Sequence, residues 1–213
     1  MKADLNHNLN LTLNNSLKLE DYKYNIEGNI LESSIKFNKA FNTNFLTEKI
    51  KDIIINNSKV LFTKTYNEKS IFNIKGKYLF NNSKKEYQKF EINNIISKSV
   101  IESNANIDLI DSLSIPVINY KKSKNKVSKL KIKIKKNKNI FNIENLEYLH
   151  KDDLISLKNL KIINKNKSLH SFEEIKVKTN LNGILNNDFK ISNKGKIKID
   201  GNVFDAKNLL KII

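Results

Sequence analysis

Lys129-Leu130-Lys131-Ile132-Lys133-Ile134-Lys135 puts a lysine at every second position and a branched aliphatic residue between each pair. Side chains of a strand alternate between faces, so this segment builds a strip of sheet with one apolar and one charged face. The same period recurs at Leu9-Asn10-Leu11-Thr12-Leu13, Leu17-Lys18-Leu19, Tyr22-Lys23-Tyr24-Asn25-Ile26, Ile175-Lys176-Val177 and Ile197-Lys198-Ile199. A chain made mostly of such strands is all-β. Whatever covers its apolar face decides what it does.

The chain has 213 residues, enough to bury a real core as one β domain. Its 39% hydrophobic content, arranged with clear periodicity, rejects wholesale disorder. The formal charge of +17 would ordinarily point to nucleic acid or an anionic membrane surface. Every basic residue is lysine, however, and Asn, Ile and Lys dominate the chain, the pattern of AT-rich codon choice. Much of the charge therefore reads as lysine on solvated faces. Reading of guanine edges relies on bidentate arginine, so no nucleic-acid partner is expected. Without cysteine there is no disulfide, thiolate metal site or cysteine nucleophile. The amino terminus starts to alternate at once, with no apolar signal core. No segment reaches the ~20 apolar residues of a membrane-spanning helix.

Only five Gly and one Pro punctuate the chain, and Asn takes over the role. Asn14-Asn15-Ser16, Asn56-Asn57-Ser58, Asn81-Asn82-Ser83, Asn137-Lys138-Asn139, Asn164-Lys165-Asn166 and Asn186-Asn187-Asp188 separate apolar stretches. Asn tolerates the left-handed conformation, so these sites predict turns spaced as in a meander. Gly28, Gly76 and Gly201, with Gly183 as a weaker relative, each sit inside a good strand pattern. An interior Gly marks a bulge, a bend or the close approach of another backbone, and these positions predict where a long sheet curves. Ile53-Ile54-Ile55 reads as strand by its length. Pro116, in Ser112-Leu113-Ser114-Ile115-Pro116-Val117, suits a sheet edge or a connection, and residues 121–126 read as an exposed loop. Asp205 is a reasonable N-cap for a short C-terminal helix whose Leu209, Leu210 and Ile213 share a face. No boundary rich in Pro, Gly or Ser divides the chain, so residues 1–213 read as one continuous β unit.

No catalytic constellation stands out. His7, His150 and His170 lie on separate segments without metal-type spacing. His150 is followed by Asp152 and Asp153, which reads as a solvated turn before a strand at Leu154. Glu173-Glu174 and Glu20-Asp21 are adjacent acids, which a strand points to opposite faces. No G-x-S-x-G elbow, P-loop or G-x-G-x-x-G occurs. The expectation is a non-enzyme with no cofactor and no metal. Two arrangements satisfy a sheet of this kind. Two halves can close face to face as a sandwich, with the apolar face as core. Alternatively, one sheet curls into an open trough whose lining holds acyl chains.

The segment from Gly195 to Leu210, which contains Gly201, Phe204, Asp205, Ala206, Leu209 and Leu210, carries a resemblance. It looks like the strand, Gly, spacer, aromatic, Asp-Ala, basic, x, Leu-Leu element of large AsmA-like envelope proteins of the YhdP and TamB type. Phe72-Asn73-Ile74-Lys75-Gly76-Lys77-Tyr78 and Phe141-Asn142-Ile143-Glu144-Asn145-Leu146 resemble their repeated strands. The specific part spans about sixteen residues, and the rest matches in texture. The resemblance implies a long curved antiparallel sheet forming a trough. It also implies a periplasmic location, an inner-membrane anchor in the full-length protein, and phospholipid carried along the groove toward the outer membrane. The lining it implies includes Leu9, Leu11, Leu13, Leu130, Ile132, Ile134, Ile197 and Ile199. Family members are far longer and begin with a membrane anchor, so this chain is expected to be a fragment flanked by neighbouring β segments of the same protein. The other expectation is a closed β-sandwich binding or adhesion module of a surface protein.

Overall fold

A computed structural model describes residues 1–41, 45–81, 86–166 and 168–205. From the amino terminus run β1 (Lys2–Leu13), β2 (Leu19–Phe41), β3 (Ile50–Thr65), β4 (Ser70–Phe80), β5 (Gln88–Ile96) and β6 (Val100–Leu109). A short hairpin of β7 (Leu113–Ile115) and β8 (Tyr120–Lys122) follows, joined by a single 3-10 turn at Pro116–Ile118. The chain then resumes with β9 (Ser128–Asn137), β10 (Ile140–His150), β11 (Asp153–Ile163) and β12 (Leu169–Ser171). It finishes in β13 (Glu174–Leu181), β14 (Ile184–Asn193) and β15 (Ile197–Val203).

Thirteen of these strands form one antiparallel sheet in the order β1-β2-β3-β4-β5-β6-β9-β10-β11-β13-β14-β15, with β12 flanking β11. Neighbours in sequence are neighbours in space, and β6 pairs directly with β9 across the inserted hairpin. β1 and β15 lie at opposite ends of the order, so the sheet is not closed. At 23 residues β2 is the longest strand, ~75 Å at ~3.3 Å per residue. Among the described residues its far half pairs only with the start of β3.

Asn ends strands as expected at Asn14, Asn81, Asn137 and Asn164, and Asn67, Asn125 and Asn182 join them with positive φ. Two of the expected turns are corrected. Asn56-Asn57-Ser58 lies inside β3, where Asn57 (φ 45°) forms a bulge and pairing resumes on both sides. Asn186-Asn187-Asp188 lies inside β14, because its side chains find partners within the fold. Gly183 is corrected in the opposite sense: Asn182 (φ 54°) and Gly183 (φ 84°) are the two-residue turn between β13 and β14. Gly76 does mark a close approach. A Cβ there would stand 1.8 Å from Ser58 Oγ and 2.6 Å from Ser58 Cα. Gly76→Ala must push β3 away from β4 at the bulge, an overpacking worth about 2 kcal/mol. We expect its melting temperature to fall by roughly 4–8 °C in a calorimetric scan; an unchanged value would mean the bulge is not pinned there.

The C-terminal helix expected over Asp205–Ile213 lies, beyond Asp205, outside the described residues. Lys122 departs from the exposed loop expected over 121–126: it is buried in β8 and its ammonium donates to the Asp111 carbonyl. The core lies on one side of the sheet in two clusters. Val60, Ile74, Tyr78 and Phe90 form one, and Leu113, Ile118, Tyr120, Tyr148, Ile155, Val177 and Phe189 form the other.

Candidate functional site

Cross-strand register turns local alternation into a continuous surface. Leu5, Gly28, Val60, Ile74, Ile92 and Ala105 are successive partners on β1 to β6. Ile132, Leu146, Leu157, Ile175, Ile191 and Ile199 continue the same rank through β9, β10, β11, β13, β14 and β15. Every strand of the main path thus contributes an aliphatic residue, Ala or Gly. A second rank runs beside it through Phe90, Ile107, Leu130, Tyr148, Ile155, Val177, Phe189 and Gly201. The opposite face reads Lys75, Glu91, Asn106, Lys131, Glu147, Ser156, Lys176, Lys190 and Asp200 along one rank.

On that polar face several lysines are paired with acids across strands. Lys131 meets Glu147 at 3.4 Å, Lys133 meets Glu144 at 2.9 Å and Lys135 meets Glu102 at 2.8 Å. Lys158 and Lys190 converge on Glu174 at 3.1 and 2.9 Å. Hydrogen bonds from Lys190 and Lys158 hold the Glu174 carboxyl below its ordinary range, and Lys135 does the same for Glu102. Such exposed pairs are worth little individually, about 0–1 kcal/mol. They cancel charge: Lys131, Lys133 and Lys135 of the basic stripe on β9 are each met by an acid on β6 or β10.

Over the C-terminal half of the apolar face lies a strap, residues 110–127, built on the β7–β8 hairpin. Leu113, Ile118 and Tyr120 pack down on Tyr148, Ile155, Val177 and Phe189. Polar anchors hold the strap along one side. The Tyr120 hydroxyl donates to Asp153 Oδ2 at 3.1 Å and lies 3.2 Å from the Tyr148 hydroxyl. His150 Nδ1 is 3.2 Å from the same Asp153 oxygen. Asp153 Oδ1 accepts from the Asn180 backbone and side chain. Asn187 donates to the Ile118 carbonyl at 2.7 Å and to Thr179, while Gln88 accepts from the Ile110 amide at 2.6 Å. The solvated turn expected there is present at Lys151–Asp152, both exposed, but His150 and Asp153 on either side of it are buried and belong to the anchor. Among the described residues no group of three or more His, Asp or Glu is arranged to hold a metal ion.

Burial lifts the Tyr120 and Tyr78 hydroxyls far above the ordinary tyrosine range, with nearby carboxylates adding to it. In the unfolded chain these groups ionise near pH 10, whereas in the fold they stay protonated. Their contribution to stability is therefore complete below about pH 10 and lost as pH rises further. We expect the denaturation midpoint in urea to be flat from pH 7 to 9 and to drop above 10, with a shallower drop in Tyr120→Phe. An identical alkaline drop in that variant would contradict the assignment.

Three apolar clefts lie on this face. One of about 280 Å³ is bounded by Ile35, Ile53, Ile55, Phe80, Phe90 and Ile107. A second, about 270 Å³, lies between the strap, Phe45 and Leu46 above and Leu130, Leu146, Ile155 and Leu157 below. The third, about 380 Å³, is bounded by Val117, Ile118, Phe189, Ile191, Ile199 and Phe204. Ile107 and Leu130 are register partners, so the first two clefts adjoin.

The expected lining residues fall at different places on this face. Leu130, Ile132 and Ile134 are half-buried at its centre, the last opposite Ile143 and Ser103. Leu9, Leu11 and Leu13 stand on edge strand β1 opposite Tyr24, Tyr22 and Leu19, about half exposed. Ile197 and Ile199 stand on the other edge, 65% and 68% exposed. Of the motif residues, Gly201 lets β15 approach Phe189, and the Phe204 ring meets the Phe189 ring edge-on at 5.0 Å. The Asp205 carboxylate accepts from Asn119 of the strap at 2.8 Å. Ala206, Leu209 and Leu210 lie outside the described residues. The strap is absent from the sequence-based expectations. Its one sequence signal is the apolar alternation Leu113-Ser114-Ile115 running into Pro116, which also fits a sheet edge.

Fold and site define an all-β protein with one open antiparallel sheet, a polar face crossed by ion pairs and an apolar face only partly covered. No protein-family model matches the chain, and comparisons with curated proteins and with solved structures find no match.

Proposed function

We propose that this chain is a segment of a lipid-carrying β-groove, of the kind suggested by its resemblance to AsmA-like envelope proteins. One observation carries the reading: the rank of twelve aliphatic or small residues on twelve strands, over which the one further sheet among the described residues is the two-stranded β7–β8 strap, covering only part of the face. Exposed apolar area costs ~25 cal/mol per Å², and monomers rarely leave a contiguous patch beyond a few hundred Å². Acyl chains satisfy such a face. They need neither directional bonds nor catalytic groups, and only the surface acts. Bulges interrupt the ladder at Asn57 and beside Gly201, and bulges of this kind bend strands, which suits a trough. In the full protein the groove continues into neighbouring β segments, is anchored in the inner membrane and carries phospholipid across the periplasm toward the outer membrane. A closed sandwich for adhesion needs a larger second sheet over the apolar ranks, and among the described residues only the strap and the Phe45–Leu46 segment lie there.

Chloroform–methanol extraction of the purified chain, followed by mass spectrometry, tests the reading. The expected result is co-purified phospholipid at one or more molecules per chain. A lipid-free protein that takes none up from vesicles would remove it.

A further inference from the structure

The meander sends alternate hairpins to the same rim of the sheet. The connections β1–β2, β3–β4, β5–β6, β9–β10, β11–β12 and β14–β15 all emerge there. Every one carries lysine: Lys18, Lys69, Lys98, Lys138 and Lys165 in the first five. Lys194 and Lys196 share the last. All seven are exposed, and Glu68 is the one acid in these six turns among the described residues. None of the seven is paired with a carboxylate among the described residues, whereas on the polar face Lys75, Lys131, Lys133, Lys135, Lys158 and Lys190 each meet one. Solvation alone accounts for scattered lysines. It does not account for unpaired ones recurring every second strand, ~9.5 Å apart, along one lip of an apolar face.

The opposite rim differs. Glu48, Glu86, Asp111 and Asp152 accompany its lysines there, and Lys124 is bonded to Glu48 at 2.5 Å. At the basic rim the apolar face ends in a fourth cleft, about 240 Å³, where the β3–β4 and β5–β6 hairpins meet. Tyr22, Tyr66 and Ile96 supply its apolar wall, while Lys64, Ser97 and Lys98 supply cations and a hydroxyl. The two tyrosine rings are 5.6 Å apart. Glu68 also lines it, which suits a singly charged phosphodiester better than a polyanion.

We propose that this rim seats the phosphate groups of anionic phospholipids whose acyl chains lie on the adjoining apolar face, with the Tyr22–Lys64–Lys98 cleft as one such seat. This rests on the lipid-carrying reading and adds the headgroup class to it. Lysine near an anionic lipid surface gains about fivefold in affinity per residue engaged. The rim then selects charge while the ranks hold chains.

The test incubates the full chain with vesicles of equal phosphatidylglycerol and phosphatidylcholine and measures by mass spectrometry which lipid is retained. Wild type should enrich phosphatidylglycerol about tenfold or more at low salt, and the enrichment should collapse in high salt. Replacing the seven rim lysines by Gln should bring the ratio to parity with total lipid unchanged. Replacing Lys129, Lys176 and Lys178 of the polar face should leave it intact. A rim variant that keeps the preference, or a wild type without one that still retains lipid, overturns the inference and leaves the apolar-face reading standing. Retention of no lipid overturns that reading and the rim with it. Inorganic polyphosphate that binds the rim as tightly as vesicles do, without lipid, would assign it to a polyanion and overturn the proposal. The salt dependence of the wild type decides the matter should the sevenfold variant fail to fold.

Discussion

Tyr120→Ala is expected to be the most damaging single substitution, costing about 4 kcal/mol. Tyr120 is 1% exposed, its ring packs edge-on against Tyr148, and its hydroxyl is tied to Asp153. Truncating a buried aromatic residue costs ~3–5 kcal/mol through lost burial and the cavity left behind. The change also strips a donor from Asp153 inside the fold, a penalty of about 1–3 kcal/mol where water does not enter. Asp153 keeps His150 Nδ1 and the Asn180 amides as partners, so only part of that penalty falls on it and the sum stays near the lower figure. In calorimetry the melting temperature should fall by roughly 8–16 °C. Tyr120→Phe keeps the ring and loses only the hydroxyl, so about 1–2 kcal/mol is expected. A loss under 1 kcal/mol for Tyr120→Ala would mean that the strap is not docked on the sheet.

The second large effect concerns lipid, not stability. A carboxylate placed in the first apolar rank puts a charge where acyl chains would lie, and such a charge resists desolvation strongly. Ile132→Asp interrupts the rank at its centre between Ala105 and Leu146. Ile199→Asp interrupts it at the exposed edge, where the side chain is 68% accessible and folding has little at stake. Co-purified lipid is expected to drop about tenfold in Ile132→Asp and severalfold in Ile199→Asp. Lys131→Asp, on the other face, should leave it unchanged. Equal lipid content in all three variants would separate lipid binding from the apolar ranks. The edge variant matters most here, because its effect on lipid is not confounded by lost packing.

Much of the sheet was legible residue by residue, since period-two alternation depends on the strand alone. Leu130, Ile132 and Ile134 point to one face and Lys129, Lys131 and Lys133 to the other wherever β9 is placed. What the strand cannot report is its partners. The pairing of Lys131 with Glu147 and of Lys135 with Glu102 needs the register of β9 against β10 and β6. Asn57 shows the same limit from the backbone side. Asn enters the left-handed region in a turn or in a bulge alike, and the choice fell to Gly76 on the neighbouring strand, which leaves room for Ser58. Asn187 reads as turn chemistry in isolation; in the fold its amide bridges Thr179 and the Ile118 carbonyl. Both are long-range facts. The strap is the largest of these, because nothing in Leu113-Ser114-Ile115 says that it folds back onto its own sheet.

Acyl chains are expected to occupy one face of the sheet and not the other. A photoreactive amino acid introduced at Ile132 or at Lys133, adjacent residues on opposite faces, tests it directly in cells labelled with radioactive phosphate. Illumination should give a phosphate-labelled, lipid-linked species from position 132 and none from position 133. Label at both positions, at neither, or at 133 alone would contradict the account.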